Sequence, residues 1–279
     1  MADESIKDEN AEAPKKAYEL LSWASKGKDI TVRDDQHEFS WLLDSVKLCR
    51  KKGARFRLVD SGKLDRSQLE WLGAAGADLY TSDEARAEAS DLEHVNRACQ
   101  KGGAFVAYFQ HGTLESEEES GSISFVDLKD MGRSGIYFYL SSREKKREIS
   151  KLNELAHACR KGGSWLVYYL HGSLENSLED LARNEAWIHV TDKIFQEPED
   201  PTLVLDKIRF AMSAGAKLIL HMEKGLDLSL LRDVIKTQAF VHFKSSLFDY
   251  RSPFRALERK TRKRKPDFRS YYLYPTFLP

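Results

Sequence analysis

Cys159-Arg-Lys-Gly-Gly163, then Ser-Trp-Leu-Val-Tyr-Tyr-Leu-His, then Gly172-Ser-Leu-Glu175 is the stretch on which the fold turns, because the chain writes it four times. The other copies run from Cys49-Arg-Lys-Lys-Gly53 to Gly62-Lys-Leu-Asp65, from Cys99-Gln-Lys-Gly-Gly103 to Gly112-Thr-Leu-Glu115, and from Met212-Ser-Ala-Gly215 to Gly225-Leu-Asp227. A period of roughly 50 to 60 residues is the mark of a repeat architecture in which no unit buries its own core.

Each copy resolves into elements through its turn chemistry. The segment ending in Cys or Met has apolar residues at helical spacing, as in Leu42, Leu43, Val46 and Cys49 or Leu152, Leu155, Ala156 and Cys159. Lys and Arg in its last turn meet the negative end of the helix dipole, and Gly supplies the left-handed residue that ends it. The runs Arg55–Asp60, Ala104–Phe109, Trp165–Leu170 and Lys217–Met222 are aromatic and β-branched, and read as buried strands. A shorter helix follows the second Gly, introduced by Asp, Glu or Ser as a cap. A second strand type closes the unit: Ala77–Asp83, Gly135–Ser141, Ala186–Asp192 and Ala239–Ser245.

The unit is therefore helix, strand, helix, strand, and right-handed crossovers make the sheet parallel. Four units supply eight strands, and Ile30–Asp34 adds one before the first helix. The expected fold is α/β, with the repeated units forming a parallel, (β/α)8 barrel-like sheet. An open parallel sheet or two smaller α/β halves would use the same strands.

Lys plus Arg and Asp plus Glu both number 44, so the formal charge is zero and wholesale nucleic-acid binding is not expected. The ends are polarised. Residues 1–28 read as an acidic N-terminal tail and a leading helix, 29–256 as the repeated α/β domain, and 257–279 as a basic, aromatic C-terminal tail. The basic block at 259–265 would suit an acidic or nucleic-acid partner, and Phe268, Tyr271, Tyr272 and Tyr274 are costly to leave in water. No apolar run reaches the roughly 18 residues of a transmembrane segment, and Met1-Ala-Asp-Glu-Ser has no signal-peptide character, so the expected location is the cytoplasm.

Cys49, Cys99 and Cys159 occupy one slot of successive helices, which reads as core packing and not as ligation or a disulfide framework. At the carboxyl ends of the strands, where ligands of parallel sheets bind, the candidate ligand-binding residues are His111, Gly112, His171, Gly172, Asp60 and Glu223. No HxH or HExxH promises a metal site, no Walker or GxGxxG loop is present, and no cofactor is indicated.

One further motif lies in the last strand, His242-Phe-Lys244-Ser-Ser-Leu-Phe-Asp249. His, one residue, Lys, four residues, Asp resembles the signature of the phospholipase D superfamily. The resemblance implies a catalytic set of His242 as nucleophile on phosphorus, Lys244 as phosphate binder and Asp249, with two such motifs meeting at one site. This chain carries one copy, which a homodimer would double, and Tyr250-Arg-Ser-Pro-Phe254 stands where the family has Gly-Ser-x-Asn. Aligning the repeats sets His242 opposite His189, Phe138 and Tyr80, and Lys244 opposite Thr191. The expected function is a cytoplasmic binding or regulatory protein that takes a small or anionic ligand at the strand-end rim and a partner through its C-terminal tail. A phosphodiesterase using His242, Lys244 and Asp249 is the alternative.

Overall fold

The computed structural model describes residues 16–114, 123–143, 145–174, 178–195, 200–223, 225–243, 254–261 and 264–272. The fold class is the expected one, a parallel sheet alternating with helices in the (β/α)8 barrel-like manner. The chain forms two compact units, Met1–Phe138 and Tyr139–Pro279.

In the first unit β1 (Ile30–Arg33), β2 (Phe56–Val59), β3 (Ala77–Ser82) and β4 (Val106–Phe109) pair in parallel with their sequence neighbours. β5 (Tyr137–Ser141) spans the boundary. In the second unit β6 (Leu166–Tyr169), β7 (Trp187–Thr191), β8 (Lys217–Met222) and β9 (Phe240–Phe243) repeat the arrangement. The strand at Ile30 thus begins the series as the neighbour of β2.

The connecting helices are α1 (Ala17–Ser25), α2 (Phe39–Lys52), α3 (Arg66–Ala75), α4 (Ala89–Gly102), α5 (Phe125–Arg133), α6 (Ile149–Gly162), α7 (Leu178–Arg183), α8 (Pro201–Ser213) and α9 (Leu228–Lys236), with α10 (Phe254–Thr261) after β9. Their ends follow the sequence. Asp65, Ser124, Asp200 and Asp227 accept N–H groups from the first turns of α3, α5, α8 and α9. Gly53, Gly103 and Gly163 end α2, α4 and α6 in the left-handed region.

Cys49, Cys99 and Cys159 are buried and form no disulfide, each as the last residue of an i, i+3, i+4, i+7 stripe facing the core. Desolvation pushes the Cys49 thiol up to about 11 and that of Cys99 higher still. In the fourth copy Ala211 occupies this slot, four residues before the left-handed Gly215, and Met212 is half-buried beside it.

The period-2 alternation divides each sheet into two unlike faces. In the first unit Ile30, Val32, Phe56, Leu58, Ala77, Leu79, Val106 and Tyr108 share one buried face, the one suited to the apolar helix stripes. The opposite face carries Arg57, Asp78, Tyr80 and Phe109. In the second unit Leu166, Tyr168, Ile188, Val190, Leu218, Leu220 and Phe243 are the buried counterpart, and the other face carries Tyr169, Trp187, His189, Lys217, His221, Phe240 and His242.

Helices α3 and α4 approach closely because two glycines lie between them. A Cβ built on Gly102 would fall 2.1 Å from the Gly73 carbonyl oxygen, and one on Gly73 would fall 2.6 Å from Cys99 Sγ. Gly102→Ala is therefore expected to force the helices apart and destabilise the protein by on the order of 1–3 kcal/mol. Differential scanning calorimetry should show a lower midpoint, and an unchanged one would mean that the backbones do not touch there.

Candidate functional site

At the carboxyl ends of the strands one interaction recurs. A short polar side chain just after an odd-numbered strand accepts backbone N–H groups from the loop after the next strand. Asp34 accepts from Ser61 (2.9 Å) and Leu64 (3.3 Å), and Asp83 from His111 (3.0 Å) and Gly112 (2.6 Å). In the second unit Ser142 Oγ accepts from His171 (2.8 Å), and Asp192 from Glu223 (3.1 Å) and Gly225 (2.7 Å). Asp34 and Asp192 are fully buried, where an amide-satisfied carboxylate is stable and an orphaned N–H is costly.

This network fixes where the rim residues sit. His111 and Gly112 are held by their backbone to Asp83, and the His111 ring lies 4.5 Å from that of Phe109. His171 is held in the same way to Ser142, and Gly172 follows at φ 96°. Asp60 receives Arg86 through both oxygens (2.8 and 2.9 Å), Thr81 Oγ1 (2.8 Å) and the Gly62 N–H (2.9 Å). That hydrogen-bonded contact raises the Arg86 pKa above its usual value against the opposing cost of burial. Glu223 bonds Asp192 through its backbone and Lys193 through its carboxylate (3.2 Å). Of the motif in the last strand, His242 lies on β9, while Lys244 and Asp249 fall outside the described residues.

The structure brings together a set the rim does not contain. On the polar face of the second unit His189 of β7, His221 of β8 and His242 of β9 form a file. His189 Nδ1 lies 2.8 Å from His221 Nε2, and His221 Nδ1 lies 3.4 Å from His242 Nδ1. Register explains the contact: His221 pairs with both Thr191 and His242, while His189 stands two residues earlier on the same face of β7. The file therefore climbs from the middle of the sheet to its carboxyl edge. The rings of His189 and His221 stack at 5.1 Å and 17°, and Tyr169 packs 4.4 Å from His189.

Burial keeps the inner imidazoles neutral. Desolvation, opposed by the Ser270 carbonyl and aided by His242, lowers His189 to about 3. His221 is likewise held well below the usual histidine range, by desolvation first and then by its two histidine neighbours. His242, at the end of the file, is half-buried.

The C-terminal segment closes this face from within the same unit. His189 Nε2 donates to the Ser270 carbonyl (2.6 Å), Tyr139 Oη donates to the Arg269 carbonyl (2.5 Å), and the Tyr272 N–H donates to Tyr169 Oη (2.7 Å). Tyr271 stands edge-on to His189 and His221 at 5.0 and 6.2 Å. Arg269 stacks on Trp165 and Arg264 on Phe240, at 5.0 and 4.8 Å. The described part of the basic, aromatic tail is thus docked on its own unit; Arg262, Lys263 and Tyr274 lie outside the described residues.

Sequence reasoning singled out His242 for its spacing to Lys244 and Asp249, and did not single out His189, His221 or the odd-strand acceptors. The alignment of His189 with His242, and the recurrence of Asp after the strands at 34, 83 and 192, were the available signals.

No family model and no curated protein matches this chain. Among solved structures, it is similar to a phospho-2-dehydro-3-deoxyheptonate aldolase (DAHP synthase) from Thermotoga maritima, with 15% identity over 76% of this chain and 68% of that one, TM-score 0.32. It is also similar to a deoxyribose phosphate aldolase from Aeropyrum pernix, with 11% identity over 88% of this chain and 95% of that one, TM-score 0.31. Both matched chains are titled as enzymes, against the expectation of a binding or regulatory protein. The phosphodiesterase alternative finds no support either: of its three residues only His242 lies among the described ones, and there it stands 3.4 Å from another histidine. At these scores the likenesses transfer no substrate and no catalytic residue. No helix among the described residues is long and apolar enough to cross a membrane.

His189 makes stability depend on pH. Between its folded value of about 3 and its ordinary 6.5, the unfolded chain binds a proton that the native protein does not. Stability therefore falls as pH drops from 6.5 toward 3, by ~1.4 kcal/mol per unit for this group. His189→Phe is expected to be less stable at pH 7.5, because Ser270 loses its donor, yet to lose less between pH 6.5 and 4.5. Urea titrations across that range test this, and equal acid slopes would show that His189 is not the buried neutral group.

Proposed function

We propose that the protein is an enzyme that moves protons on a small substrate held at the carboxyl ends of β7–β9, with His242 as the acid–base group. The observation that carries this reading is the histidine file, which runs from the buried middle of the sheet to the edge where parallel sheets bind their ligands. An imidazole is the side chain best matched to proton transfer near neutral pH. Two neutral imidazoles behind it orient His242 without adding a competing charge. His242 is given no nucleophilic role here, so the reading needs neither Lys244 nor Asp249. A small or anionic substrate and a cytoplasmic location remain part of the proposal.

Protons next to a carbonyl group are acidic enough for an imidazole base, so carbonyl compounds are the first substrates to try. The full-length protein should be incubated in D2O with a panel of aldehydes, ketones and keto acids, with and without phosphate groups, and deuterium uptake at the adjacent carbon followed by NMR. Uptake is expected with at least one compound, and His242→Gln should slow it by about 100-fold or more while leaving circular dichroism unchanged. Uptake that survives the substitution, or no uptake across the panel, would overturn the reading.

A further inference from the structure

The histidine file has a direction, and its origin is the backbone of the C-terminal segment. A carbonyl oxygen carries no hydrogen, so at 2.6 Å from the Ser270 oxygen the Nε2 of His189 must be the protonated nitrogen. A neutral imidazole has one N–H, which makes His189 Nδ1 an acceptor. Its partner at 2.8 Å, His221 Nε2, must then be the donor. The same reasoning makes His221 Nδ1 an acceptor facing His242 Nδ1 at 3.4 Å, the longest and weakest link.

We infer that the segment Asp267–Tyr272 is a positioning element of the proton-transfer site. Through the Ser270 carbonyl it fixes the tautomers of His189 and His221, and so places the His242 proton on Nδ1 and leaves Nε2 as the basic nitrogen. The segment is built for this. Asp267 accepts from the Arg269 N–H and pairs with its guanidinium, Ser270 donates its N–H to the Asp267 carbonyl, and the hydrogen bonds from the two tyrosines and His189 all fall on backbone atoms of the segment. A flexible tail would leave the file free to reverse, because a chain of imidazoles is equally well bonded in either direction. The carbonyl at one end removes that symmetry.

The inference rests on the His242 reading for its purpose, but tautomers are measured without any substrate, so the two fail separately. In full-length protein labelled with 15N-histidine and assigned with single His→Phe variants, His189 and His221 should show protonated Nε2 and unprotonated Nδ1 throughout pH 6–8. His242, when neutral, should show protonated Nδ1. Tyr139→Phe combined with Tyr169→Phe removes two of the hydrogen bonds that hold the segment while keeping the rings. It should give faster tryptic cleavage at Arg264 or Arg269 and averaged, mixed-tautomer shifts for His221 and His242. His189→Phe should produce the same mixing with the segment otherwise in place. A protonated Nδ1 on His189 or His221 in the unaltered protein would overturn the inference, as would unchanged His221 and His242 shifts in His189→Phe. A correct tautomer pattern without deuterium uptake would leave the inference standing and remove the proposed function.

Discussion

The structure depends on short acceptors planted at the ends of alternate strands. Asp34, Asp83, Ser142 and Asp192 each tie down the loop that leaves the neighbouring strand. A parallel sheet needs long crossovers, and the backbone amides where each crossover departs would otherwise be buried without partners. A carboxylate that accepts two such amides satisfies them and fixes the loop against the next strand in one step. The strand-end histidines and glycines owe their placement to this device.

With the loops pinned, the two faces of the sheet are released for different tasks. The apolar face packs on helices, whose slot four residues before the closing Gly holds Cys in α2, α4 and α6 and Ala211 in α8. The other face accepts costly residues because each finds a partner: Asp78 reaches Arg55 at 2.9 Å, Lys217 lies over Trp165 and Trp187, and the histidines bond one another. Desolvation still raises the Asp78 pKa despite that arginine, a measure of how strongly this face excludes water. Groups held uncharged in such a setting have their hydrogen bonds strengthened by the low dielectric.

How much of this could be read from the chain alone follows from the range of each interaction. Helix ends, caps and strand alternation are decided within a few residues, and the segments from Cys49 to Gly53 or Cys159 to Gly163 announced themselves through spacing and turn chemistry. The acceptors were harder to recognise because one of the four is Ser142 in place of Asp, and because each serves a loop some 27 to 33 residues further on. The histidine file lay beyond reach. His189 and His221 meet because the pairing of β7 with β8 sets them two positions apart on one face, and the carbonyl that caps the file arrives 81 residues after His189. His242 stood out for its HxK spacing, but its actual neighbour is another imidazole. The tail's aromatic residues did signal docking, since Tyr271 and Tyr272 have little reason to face water.

The odd-to-even pattern of the strand-end bonds sets a rule of parity for the evolution of this scaffold. An acceptor after one strand is useless without the loop after the next, so the smallest segment that could be copied or lost without orphaning a carboxylate or a pair of amides is two strands long. Growth by a single strand and helix would leave a buried Asp facing nothing. The four acceptors divide β1–β8 into pairs of that length, and β9 stands beyond them.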